Sequence, residues 1–173
     1  MKKKKATNDA IGVAGFFRLK IMDHKDGEAK VVGDSGWCKN LVTNLGFQHF
    51  ILEPMGQISG SSALSGAGNG WFALGTGAAP AVTDTSLAGE LSDSAAMRFT
   101  MTAPTVVSSK TLQYLGTFAS SIETATHAIA NIGIFGASVT AAGSIFCGNT
   151  FAASTLQTNQ SVNVTYQLKF ATA

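Results

Sequence analysis

The side chains able to do acid–base, metal or nucleophilic chemistry in this 173-residue chain are few and far apart. His24, His49 and His127 fall in different parts of the sequence, without the short-range Asp, Glu or His spacing of a metal site or a catalytic triad. Cys38 and Cys147 have no CxxC spacing and no adjacent His, so they read as reduced core thiols; whether they pair depends on the fold bringing their strands together. Glu53, Asp84, Glu90, Asp93 and Glu123 include the raw material for a carboxylate pair, but nothing in their spacing places two at one cleft, and a capping role explains Asp84. Gly66-Ala67-Gly68-Asn69-Gly70 lacks the Lys-Ser/Thr ending of a phosphate-cradling loop and the GxGxxG spacing of a dinucleotide turn. No cofactor or metal is expected. Trp37 and Trp71 offer stacking surfaces for a sugar or a base, yet both lie in strand-like context, where an indole is usually core. Asn163-Val164-Thr165 matches a glycosylation sequon and reads as chance in a chain without an export signal. The expectation is a protein that is not an enzyme.

Composition points the same way. Charged residues make up 13% of the chain, about half the usual share, while small residues are abundant. So neutral an exterior suits a protein whose surface largely meets other subunits. The formal net charge of +2 is too small to imply a nucleic-acid partner, and its excess sits in Lys2, Lys3, Lys4 and Lys5. These form a basic terminal arm over residues 1–14, able to dock on an acidic protein surface or a phosphate backbone, the plain alternative being a solubilising terminus. Asp9 interrupts the apolar stretch after the lysines and no small-residue cleavage site follows, so export is not expected. No run approaches the roughly 18 apolar residues of a membrane span.

The remaining residues, 15–173, are enough for one domain. Phe17, Leu19 and Ile21 alternate with Arg18 and Lys20, predicting a strand; Asp26-Gly27 turns it, and Lys30-Val31-Val32 returns beside it. Trp37 to Val42 leads into a short helix over 43–52 capped by Thr43 or Asn44, with Phe47, Phe50 and Ile51 packing on the sheet. Pro54 and Gly56 end it. Residues 59–70 form a Gly/Ser-rich loop in which Ser61, Ser62 and Asn69 could order against a partner. Trp71 to Leu74 predicts a strand, and Thr83 or Asp84 starts a helical turn running through Leu87 to Leu91. Further strands are expected at Met97–Thr102, Leu112–Phe118, Ala128–Phe135, Ile145–Cys147 and Val162–Phe170. That many short strands without long amphipathic helices give an all-β fold, an antiparallel sandwich or barrel with one or two short helices.

Three stretches carry a resemblance: Asn40-Leu41-Val42-Thr43-Asn44-Leu45-Gly46; Phe72-Ala73-Leu74-Gly75-Thr76-Gly77 with Pro80, Asp84-Thr85, Leu87 and Glu90-Leu91; and Ile132-Gly133-Ile134-Phe135-Gly136. Together, over residues 36 to 170, they resemble small structural proteins of tailed bacteriophages. The resemblance implies a jelly-roll-like β-sandwich in the virion, made in the bacterial host cytoplasm, and most readily a capsid decoration (cement) protein. Such a protein would bind across major capsid protein subunits, stabilise the expanded head, and self-associate as a trimer. The basic arm (Lys2 to Lys5) and the loop residues Ser61, Ser62 and Asn69 would be its partner-binding groups. A tail or tail-fibre subunit is the structural alternative, and a carbohydrate-binding host-adhesion module using Trp37 or Trp71 is a second.

Overall fold

The computed structural model describes residues 11–52, 70–92, 98–119, 126–138 and 144–172. They contain ten antiparallel strands: β1 (Ile11–Asp23), β2 (Lys30–Asp34), β3 (Cys38–Val42), β4 (Trp71–Gly75), β5 (Phe99–Thr100), β6 (Thr105–Ser108), β7 (Thr111–Phe118), β8 (His127–Phe135), β9 (Ile145–Leu156) and β10 (Gln160–Thr172). The strand order β5-β4-β8-β9-β3-β1-β10-β7-β6 describes one sheet curled on itself, a jelly-roll-like β-sandwich. The predicted all-β class holds. Among the described residues no helix is long and apolar enough to cross a membrane.

Two segments turn the corners between layers. The first half of β3 pairs with β1 (Gly15 opposite Asn40), and its last residues pair with β9 (Val42 opposite Cys147). At the other side β5 pairs with β4; Thr102 N then donates to Leu115 O of β7 (2.7 Å), and β6 continues along β7. A front layer (β2 and β3, β1, β10, β7, β6) thus faces a back layer (β3, β9, β8, β4, β5), and the two share their corner strands.

The layers differ in burial pattern, and the sequence explains how. On the front layer Phe17 and Leu19 of β1, Tyr114 and Phe118 of β7, and Val162, Val164, Tyr166 and Leu168 of β10 alternate with outward residues, most of them polar. Strict alternation leaves one face wet. In contrast, Trp71-Phe72-Ala73-Leu74 and Ile132-Gly133-Ile134-Phe135 are nearly continuous apolar runs, because the back layer is covered on both faces. Its inner face meets the main core; its outer face, through Ala73, Phe135 and Ile145, meets Leu87 of the segment after β4. Fully burying an aliphatic or Phe side chain contributes about 1.5–3 kcal/mol, so these two cores are the chief source of stability.

The segment over Leu87 is fastened by polar contacts. Thr76 N and Gly77 N donate to the carbonyls of Gly89 and Ala88, and Asn131 Nδ2 of β8 donates to Ala78 O and Ala88 O (3.0 and 2.9 Å). Arg98 lies 3.6 Å above the Phe135 ring, donates through Nε and Nη2 to Glu90 (2.6 and 3.0 Å), and reaches Ala137 O. Residues 83–91 are turns, not the helical turn expected. Asp84 closes a turn instead of capping a helix: its N donates to Ala81 O, and its carboxylate accepts from Ala81 N.

The first hairpin pairs as predicted, with Lys30 opposite Asp23 and Val31 opposite Met22. Thr43 caps α1 (Asn44–Phe47) by accepting from Gly46 N, and a π turn over Gln48–Leu52 follows. A Cβ on Gly46 would run into the Phe146 carbonyl, so glycine sets how closely the helix sits on β9. Phe50 is buried and Ile51 packs against the core, but Phe47 is exposed, contrary to expectation, because the π turn that follows it breaks the 3.6-residue period on which the three would share one face. β6 was missed because all four of its residues are exposed. β9 runs nine residues beyond Cys147 because its far half is a solvent-facing strand with weak apolar signal. Met97 and the terminating Pro54 and Gly56 lie outside the described residues, and β1 begins at Ile11, so residues 11–14 of the expected arm belong to the sheet.

Arg98 and Glu90 side chains are only 1% and 8% exposed, so removing one leaves the other buried and uncompensated. Arg98→Met should lower the unfolding free energy by about 3–5 kcal/mol in urea titrations, and adding Glu90→Leu should restore most of the loss.

Candidate functional site

The predicted partner-binding residues Lys2, Lys3, Lys4, Lys5, Ser61, Ser62 and Asn69 all lie outside the described residues. So do Glu53, Asp93 and Glu123 of the carboxylates, while Glu90 is taken up by Arg98. Among the described residues no group of three or more His, Cys, Asp or Glu side chains is placed to hold a metal ion.

One pair has the spacing of a nucleophile and its base: His24 Nε2 stands 2.7 Å from Ser161 Oγ. Ser161 is buried, however, and the neighbouring Asp23 carboxylate is occupied by Asn159 Nδ2 and Lys25 N. With His24 N donating to Asn159 O, the cluster is a clasp joining the turn after β1 to the turn before β10. His49 lies ring-on-ring with Phe146, centroids 4.1 Å apart.

Both cysteines are free, as expected, but they differ in place: Cys147 is in the core and Cys38 is only partly buried. Cys147 Sγ contacts the Tyr166 hydroxyl at 3.4 Å, beside Asn40. Burial pushes the Cys147 thiol up to about 12 and holds the Tyr166 hydroxyl well above its ordinary value, so neither is a nucleophile in the folded protein.

The surface that gathers functional side chains is the open face of the front layer. Backbone register aligns Leu115 of β7 with Thr165 of β10 and Arg18 of β1; a second row aligns Thr117, Asn163, Lys20 and Asp34. All of these but Asp34 line a groove of about 400 Å³ together with Trp37. Trp37 is not core: its side chain is in the kink between β2 and β3, and the residue is 48% exposed. The kink has a local cause. Gly36 adopts φ +65°, a left-handed value that a side chain disfavours. Ser35 Oγ accepts from Leu19 N, Ser35 N donates to Leu19 O, and Gly36 N donates to Asp34 Oδ1. Asp34 also accepts from Arg18 Nε (2.9 Å). The Arg18 hydrogen bond, the Gly36 amide and the charges of Arg18 and Lys20 hold the Asp34 carboxyl well below the usual carboxylate range.

Thr117 Oγ1 donates to Asn163 Oδ1 at 2.9 Å, which orients the Asn163 amide. Lys20 has no carboxylate within ion-pair distance among the described residues. The groove therefore combines an indole, an oriented amide and hydroxyl, and a cation on rigid strands. The Gly36-Trp37 step after Asp34-Ser35 was the available signal for it, since a turn there interrupts the alternation that would have buried the indole. Trp71, by contrast, is partly buried against the Leu87 cluster, as its strand context predicted.

No protein-family model matches the chain, and neither a curated protein nor a solved structure matches it.

Folded Cys147 keeps its proton up to about pH 12, whereas an unfolded thiol loses it near 9.0. The unfolded state thus releases protons first, and stability should fall as pH rises from about 9 toward 12. Urea midpoints at about pH 8 and pH 11 should show this decline, and Cys147→Ala should make it shallower, with Tyr166 supplying the remainder.

Proposed function

We propose that this protein is a virion structural subunit, a capsid decoration protein that binds across major capsid protein subunits and stabilises the expanded phage head. The observation that carries this reading is the distribution of exposed apolar side chains on a low-charge β-sandwich. Val31 and Val32 on β2, Val106 (73% exposed) and Val107 on β6, and Leu115 on β7 all face solvent. β2 and β6 each pair with one neighbour only, so their apolar residues lie on short strands at the margins of the front layer. Natural edge strands are commonly guarded by charge, and contiguous exposed apolar surface marks interaction sites. β2 keeps that guard in Lys30 and Asp34, but β6, Thr105-Val106-Val107-Ser108, has none, as suits an edge that stays in contact with other subunits.

In this reading the edges meet major capsid protein or sister copies, in a trimer, and the basic residues Lys2 to Lys5 dock on acidic capsid surface. Shell stabilisation follows from added buried contact area across subunit boundaries, without chemistry. A tail or tail-fibre subunit would use the same edges to build rings or rods.

Cofractionation with tailless heads separates the two. The protein should sediment with expanded heads, and its recovery only with tails would assign it to the tail. Deleting residues 1–10, which leaves β1 intact, should weaken head binding about tenfold, more so at low salt than at high salt, with an unchanged urea midpoint. Val106→Lys should lower occupancy further, while the monomer remains folded.

A further inference from the structure

We infer that the groove on the open face of the front layer is a saccharide-binding site, and that its ligand is a sugar ring carrying a carboxylate. This goes beyond the assembly role and holds whether the subunit belongs to head or tail. Four observations carry it.

An indole is the largest apolar side chain, and Trp37 is left 48% exposed at the groove by a kink that costs a left-handed Gly36 and is secured by Ser35 and Asp34. A half-exposed indole on a fastened kink presents a flat apolar surface to the C–H face of a pyranose ring. The groove, at about 400 Å³, falls within the range of small-ligand clefts, about 300–1,000 Å³.

The floor supplies what ring hydroxyls need. Because Asn163 Oδ1 accepts from Thr117 Oγ1, the Asn163 Nδ2 group is left as a donor and the Thr117 oxygen as an acceptor, side by side. Each hydroxyl of a vicinal pair both donates and accepts, so such a donor and acceptor engage the pair together. Thr165, in the next row, adds a further hydroxyl at the groove.

Charge selects the ligand class. Two cations, Arg18 and Lys20, stand against the single carboxylate of Asp34, which Arg18 and the Gly36 amide already engage. Lys20 lines the groove and Asp34 does not, so even with the Asp34 charge shared between Arg18 and Lys20 the groove keeps one positive charge in surplus. One surplus charge fits a single carboxylate; a nucleic acid or a polyphosphate would call for a row of cations. The side chains stand on β1, β7 and β10, whose mutual pairing fixes their spacing before ligand arrives.

The test uses the full-length protein, isothermal titration and tryptophan fluorescence, with trigalacturonate as the acidic probe and galactotriose as its neutral counterpart. The expected result is binding of trigalacturonate with a shift in indole emission, at least about tenfold tighter than galactotriose. Trp37→Ala should abolish the shift and weaken binding at least about tenfold. Lys20→Gln should remove the preference for the acidic sugar while retaining residual binding to both. Far-UV circular dichroism checks that each surface variant is folded, and Thr117→Val provides an independent substitution on a different strand. Equal affinity for the two sugars in the wild type would overturn the carboxylate assignment. Absence of binding to either sugar, or binding that survives Trp37→Ala, would overturn the site. Loss of head binding in Trp37→Ala without any saccharide binding would make the groove a protein contact, which also overturns the inference.

Discussion

The backbone hydrogen bonds that carry β3 from β1 to β9, and the 99–108 segment from β4 to β7, are the constraint on which the rest of the structure depends. They convert a long meandering sheet into a closed two-layer body, and closure decides which faces are dry. With both corners turned, Phe17, Phe72, Phe118 and Tyr166 meet across one interior. The back layer then needs a second cover, which the residues after β4 provide through Leu87, and Asn131 and the Arg98–Glu90 pair keep that cover in place. A buried ion pair is weak evidence of net stability, but it specifies one arrangement, because any other leaves a charge without its partner.

Closing the back layer leaves the front layer as the open face, and the surface chemistry follows from that asymmetry. Outward positions of β1, β7 and β10 carry Arg18, Lys20, Thr117, Asn163 and Thr165, and the kink at Gly36 adds Trp37. The margins are different in kind. There β6 exposes valines between uncharged residues, while the valines of β2 stand among Asp23, Lys25, Glu28 and Lys30. One molecule thus presents exposed valines at its margins and a polar groove on its open face.

Much of the scaffold was legible from residue order. Alternation in Phe17, Leu19 and Ile21, the Asp26-Gly27 turn, and the apolar runs at 71–74 and 128–135 predicted strands that are present, because burial period is a local property. β6 was not legible, since Thr105–Ser108 owes its strand conformation to pairing with β7 and has no inward residue to mark it. Residues 83–91 looked helical from a capping carboxylate and spaced leucines, yet docking onto Phe135 and Asn131 overrode that preference. The groove was only partly legible: Trp37 drew notice as an aromatic, but besides Arg18 and Lys20 of the preceding β1 its partners come from β7 and β10, far along the chain, and only the register joins them. Lys2 to Lys5, Ser61, Ser62 and Asn69 are known from the sequence alone.

The decisive measurement of the proposed decoration role is imaging of expanded phage heads after addition of the purified protein. A decoration protein should give added density at local symmetry axes of the shell, bridging neighbouring capsid subunits, with the β2 and β6 margins at the contacts. Bare heads, with the protein assembling into rings or rods by itself, would contradict that role.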